Sequence, residues 1–173
     1  MRFPLFSKAL LLCLVTHAAS SFAQTPNPLD AVPENMPFNI PYGAPISLDM
    51  ADAAIGAALN EAKQHNWALN IAVVDSGGNL VAFKRMDGAQ LASITISEHK
   101  ARTAVKFRRE TKVFENAIQV SNNLYVETLD DVIASRGGIP LVVGGKLIGA
   151  IGCSGGSGSQ DEVACKAGAA LIK

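Results

Sequence analysis

Histidine and cysteine are scarce in this chain, with three of each in 173 residues. His17 and Cys13 fall in an N-terminal stretch that reads as a leader, which leaves His65 and His99. Two histidines exclude a three-histidine metal site within one subunit. The remaining cysteines, Cys153 and Cys165, do not form the CxxC pair of a thiolate metal site. Aromatic residues make up only 6% of the chain, so stacking platforms for bases or sugars are poorly supplied. Fifteen basic residues balance fifteen acidic ones, and without a basic surplus nucleic acid is not an expected partner. The chain also lacks a P-loop and an HExxH helix.

The first 23 residues have the layout of a signal peptide. Arg2 and Lys8 precede a short apolar run, Ala9 to Val15, and Ser21-Phe22-Ala23 ends with small residues at the two positions a signal peptidase reads. The run is too short to span a bilayer, and the residues after Cys13 are not those of a lipoprotein signal. A mature chain from about Gln24, periplasmic or secreted and without a stable membrane anchor, is the expectation. Residues 24–46 carry Pro26, Pro28, Pro33, Pro37, Pro41 and Pro45 without apolar periodicity, and read as an extended arm. Residues 47–173 are one domain by size.

Within that domain, Ser47 with Asp49 opens a helix in which Leu48, Ala51, Ile55, Ala58, Leu59 and Ala62 recur at helical spacing to about Gln64. His65 at its end complements the helix dipole. Leu69–Asp75 and Leu80–Arg85, joined by Ser76-Gly77-Gly78-Asn79, form a hairpin. Ala92–Phe107 is a second long helix. It alone sets polar, ligand-capable groups beside its apolar face, with His99 and Thr103 four residues apart and therefore adjacent on its surface. Lys112–Gln119 is a shorter helix, and Leu124–Val132 carries no readable pattern.

The best-defined unit is Gly137–Ala170. Ile139–Val143 and Lys146–Ile151 are apolar runs joined by Gly144-Gly145, which predicts another hairpin. A loop over Gly152–Ser159 and a capping box from Ser159 to Glu162 are expected to lead into a closing helix. That loop feeds a helix N-terminus, but Asp161 and Glu162 would repel an anion there, so a structural turn is the expectation. Cys153 and Cys165 are spaced so that an oxidising compartment would allow a disulfide. They also fit as two small buried residues, and their Cα separation decides between the two.

Three blocks in order, IAVVDSGGNLVAFKRMDGA, SEHKARTAVKF and GGIPLVVGGKLIGAIGCSGGSGSQDEVACKAGAA, resemble the GlcG/HbpS family of haem-binding proteins. The same domain type occurs at the C-terminus of some corrinoid adenosyltransferases. The match covers nearly all of residues 47–173. It implies an α+β, profilin-like fold: a central antiparallel sheet of about five strands with packed helices. It also implies a homo-oligomer and haem, or a related tetrapyrrole, as ligand and cofactor. Carried over residue by residue, the resemblance places Lys100 and Thr103 in the ligand region. It has Arg102 where relatives often carry an aromatic residue, which weakens a stacked porphyrin but offers a propionate a partner. Chemistry prefers His99 as the iron ligand, since imidazole binds iron far better than a hydroxyl, and the resemblance prefers Thr103. His99 and Thr103 are thus the candidate axial groups, with Lys100 or Arg102 available to the propionates. An exported haem-sequestering or sensing module is the leading functional expectation. A haem-degrading or small-metabolite enzyme, and an accessory oligomer without a small ligand, are the alternatives.

Overall fold

The structure, a computed structural model, describes residues 30–36 and 38–173. The expected signal peptide at 1–23 and the start of the arm, 24–29, lie outside the described residues. Asn35 closes one unit of the chain, and Met36–Lys173 form the second.

Helix α1 spans Leu48–Gln64 and is capped by Ser47, whose Oγ accepts from the Met50 amide at 3.3 Å. Its buried face, Ala51, Ala54, Ile55, Ala58 and Ala62, follows the helical period expected of it. Strands β1 (Asn70–Asp75) and β2 (Leu80–Arg85) form the first hairpin. Asp75 builds its turn, Oδ1 accepting from the amides of Gly77 at 2.8 Å and Asn79 at 2.9 Å. Helix α2 covers Ala92–Lys106 and α3 covers Lys112–Gln119. The stretch without a readable pattern contains a 3-10 turn at Leu124–Thr128. Strands β3 (Gly138–Val143) and β4 (Lys146–Ser154) form the second hairpin. Gly144 and Gly145, at φ of 56° and 74°, make its turn, as two left-handed positions require. Helix α4 runs over Gly158–Ala170.

The fold is α+β, with one antiparallel sheet in the order β2-β1-β4-β3. The sheet has four strands where about five were expected. Beside the first residues of β4, a further strand's place is taken by the end of the arm. The Leu147 amide donates to Pro41 O at 2.8 Å, and the Gly43 amide donates to Leu147 O at 2.7 Å. Pro41 and Pro45 bring no amide hydrogen, so the pairing stops at a single bridge, Tyr42 to Leu147.

Strand alternation divides the core. Ile71, Val73, Ile139, Leu141, Ile151 and Cys153 pack with α1 and α4 on one face, while Val74, Leu147 and Ala150 pack with Ala101, Ala104 and Val105 of α2 on the other. Two glycines let α2 settle directly on the strand backbone. A Cβ on Gly152 would stand 2.1 Å from Ser97 O, and one on Gly138 would stand 2.3 Å from Lys100 O.

This packing corrects two expectations. Gly152 lies within β4 rather than opening a loop, and only Gly155–Ser157 separate β4 from α4. The capping box is Ser157 with Gln160, two residues earlier than expected. Ser159 and Glu162 are inside the helix, and Glu162 is drawn into ion pairs. The cysteines are bridged, with Cα atoms 5.6 Å apart, so the disulfide ties β4 to α4.

Candidate functional site

Helix α2 carries all four residues expected at the ligand, and the structure separates them into two pairs. Lys100 is 1% exposed, and its Nζ donates to Asp161 Oδ2 at 2.8 Å. Thr103 is closed to solvent, its hydroxyl donating to Asp131 O at 2.7 Å and accepting from the Ile133 amide at 3.1 Å. Both side chains are committed to the fold: one anchors α4, the other the loop after the 3-10 turn. A hydroxyl already holding a donor and an acceptor has little left for iron, and a buried paired ammonium is not free to meet a propionate.

His99 and Arg102 are only partly buried. The Arg102 guanidinium donates to Glu98 Oε2 at 3.3 Å across one helical turn, a partly exposed pair that costs little to exchange. His99 Nε2 is screened from solvent and has no hydrogen-bond partner, a condition shared among the described side chains only with Asn70 Oδ1 and Ser93 Oγ. Close by is Asp131, paired with Lys106. Its carboxyl lies below the ordinary range because of the Lys106 hydrogen bond and charge, with smaller contributions from His99 and Arg102. The outer side of α2 therefore carries two ion pairs, Arg102–Glu98 and Lys106–Asp131, and one uncommitted imidazole nitrogen. His65, by contrast, is occupied, its Nε2 lying 3.2 Å from Glu61 and its ring stacked on Trp67. Among the described residues, no group of three His, Cys, Asp or Glu side chains could hold a metal ion.

Charges from α3, α4 and Arg136 form a connected network. Glu162 meets Lys166 at 2.6 Å, Lys112 at 3.2 Å and Arg136 at 3.5 Å, and Arg136 also meets Glu115 at 2.6 Å. Burial pushes Glu115 and Glu162 upward, but Arg136 for the first, and Lys166 with Lys112 for the second, outweigh it and leave both carboxyls low. For Asp161 burial wins: its carboxyl is raised, although Lys100 and the Gly156 amide pull the other way.

The sequence reading missed a cavity of about 620 Å³ between α1 and the open edge of β2. Leu59 and Lys63 from α1, Phe83, Lys84 and Arg85 from β2, and then Met86 and Asp87 line it. The available signal was a cation pair ending an edge strand, Lys84-Arg85, directly after Phe83.

The family described as "Haem degrading protein HbpS-like" matches residues 46–170. Protein GlcG of Escherichia coli is 43% identical over 109 residues, 63% of this chain and 81% of that protein. The crystal structure of a double mutant of Streptomyces reticuli HbpS is similar at a TM-score of 0.70 and 28% identity, over 83% of this chain and 98% of that one. A crystal structure of a PduOC–haem complex is similar at a TM-score of 0.68 and 28% identity, over 75% of this chain and 96% of that one.

Proposed function

The chain belongs to the HbpS-like family, and from that membership we propose that it binds haem. One observation carries the reading: a relative of the same fold, aligned over three quarters of this chain, was solved as a haem complex. Haem supplies iron chemistry when bound; this chain supplies the seat.

The residues of α2 fit that group in part. His99 offers a solvent-screened imidazole nitrogen without a partner, a suitable axial donor. Arg102, tied only to Glu98 near the surface, is available to a propionate. Lys100 and Thr103 act indirectly, by holding the helix and the loop against which the ligand would rest. We assign the protein to the periplasm or the extracellular space, on the leader-like first 23 residues and the disulfide. A homo-oligomer suits the apolar side chains that Val113, Val120, Leu124 and Tyr125 leave exposed. Haem sequestering or sensing is the role these features favour; the family's description keeps haem degradation as the second reading.

The test is a ferric haem titration of the parent, His99→Ala and Thr103→Ala, followed at the Soret band. Saturable binding that His99→Ala loses and Thr103→Ala keeps is the expected result. No spectral change with the parent would overturn haem binding. Parent-like binding by both variants, with the fold intact, would move the site off α2. Protein-dependent loss of the Soret band with reductant and oxygen would favour degradation.

A further inference from the structure

We propose that the cavity between α1 and β2 binds an organic carboxylate with an apolar body, at a site separate from the outer side of α2. The proposal does not depend on haem binding. At about 620 Å³ the cavity falls within the range of small-molecule sites. Leu59, Phe83 and Met86 contribute half-buried apolar surface. Around them stand three cations, Lys63, Lys84 and Arg85, against one lining carboxylate, Asp87. Lys84 is met loosely by Asp52 at 3.8 Å, whereas Lys63 and Arg85 have no ion-pair partner among the described residues. In a chain whose formal charges cancel, two unpaired cations beside half-buried apolar surface form a local excess that suits an anion with a hydrophobic body.

The backbone adds to this. Strand β2 pairs with β1 alone, so its outer edge carries amide and carbonyl groups with no strand beside them. Consecutive residues Phe83, Lys84 and Arg85 all line the cavity, so a ligand there meets the strand edge as well as side chains. A guanidinium binds a carboxylate through two parallel hydrogen bonds, and Lys63 adds a point charge from α1. Phosphate lacks the apolar body that Leu59, Phe83 and Met86 would cover, and a neutral hydrocarbon leaves the cations unmet. The alternative role for Lys84 and Arg85 is to guard an edge strand against pairing, which requires no ligand.

The probe is 2-naphthoate, followed by fluorescence anisotropy, with 2-naphthamide as its uncharged counterpart. Saturable one-to-one binding of the carboxylate, weakened about tenfold by either Lys63→Gln or Arg85→Gln, is the expected result. Both residues are exposed, so both variants should fold, which circular dichroism checks. His99→Ala should bind 2-naphthoate like the parent. The proposal is overturned if the amide binds as well as the carboxylate, if neither substitution changes the affinity, or if nothing binds. It is also overturned if haem displaces the probe stoichiometrically and both substitutions weaken haem to the same degree, since the cavity would then be the haem seat.

Discussion

Lys100 and Asp161 are 61 positions apart in the chain, yet their Nζ and Oδ2 atoms lie 2.8 Å from each other with both side chains closed to solvent. The contact joins the middle of α2 to the first turn of α4. Asp161 also accepts from the Gly156 amide at 3.0 Å, so the loop between β4 and α4 closes around the same carboxylate.

Removing one member should cost far more than removing both. Lys100→Met leaves a buried carboxylate unpaired and should destabilise the protein by about 3–5 kcal/mol. Lys100→Met with Asp161→Leu should recover much of that loss. Urea unfolding of the two single variants and the double variant reads this coupling; additive losses would deny it.

Acid should weaken the fold through Glu115 and Glu162. Burial raises both carboxyls, but their cationic partners hold them below the ordinary glutamate range in the folded chain. A group whose folded value is depressed adds stability above its unfolded value and loses it as pH falls through the folded one. Thermal midpoints should therefore drop on acidification below the ordinary glutamate range. The drop should be shallower in Arg136→Gln, whose carboxylate partners have less to lose. A parallel shift of the two profiles would count against the assignment.

The Cys153–Cys165 bridge closes a loop of 12 positions. Its loss in a Cys153→Ala, Cys165→Ala double variant should cost about 2–4 kcal/mol. Mass spectrometry of alkylated protein, without reductant, should find neither cysteine modified. Calorimetry with and without reductant measures the cost, and equal midpoints would remove the bridge from the stability account.

Two glycine substitutions should separate close packing from chain entropy. At Gly152 a Cβ meets Ser97 O at 2.1 Å and the Ala101 amide nitrogen at 2.6 Å, so Gly152→Ala should cost about 3 kcal/mol or more. At Gly56, inside α1, nothing lies within 4 Å, and Gly56→Ala should stabilise by about 0.5–1 kcal/mol. Denaturant midpoints moving in the same direction would refute the pairing.

The elements that sequence makes plain are those with local causes. Gly144-Gly145 permits one kind of turn, and Ser47 with its alanine-rich follower writes its own helix. Gly152 misleads because glycine before Cys153-Ser154-Gly155-Gly156 looks like loop composition, when it is there to admit α2, a neighbour distant in sequence. The sequence pattern points to Ser159 as the cap, and the structure, with β4 ending at Ser154, puts the cap at Ser157. At the candidate site, spacing put His99, Lys100, Arg102 and Thr103 on one helix correctly. It could not say which were already engaged, because Asp161, Asp131 and Ile133 come from later in the chain. The α1–β2 cavity joins positions 59 and 63 to positions 83–87, a juxtaposition no linear pattern records.

Because Gly138 and Gly152 bring the strands up against the backbone of α2, no compressible layer of side chains lies between helix and sheet at those points. The helix is thus mounted like a rail bolted to a plate. It has no slack to slide or roll when something docks on its outer side. Accommodation there falls to the rotamers of His99 and Arg102 and to the loop that Thr103 holds, so a docking event shows itself in side-chain motion while the sheet stays still.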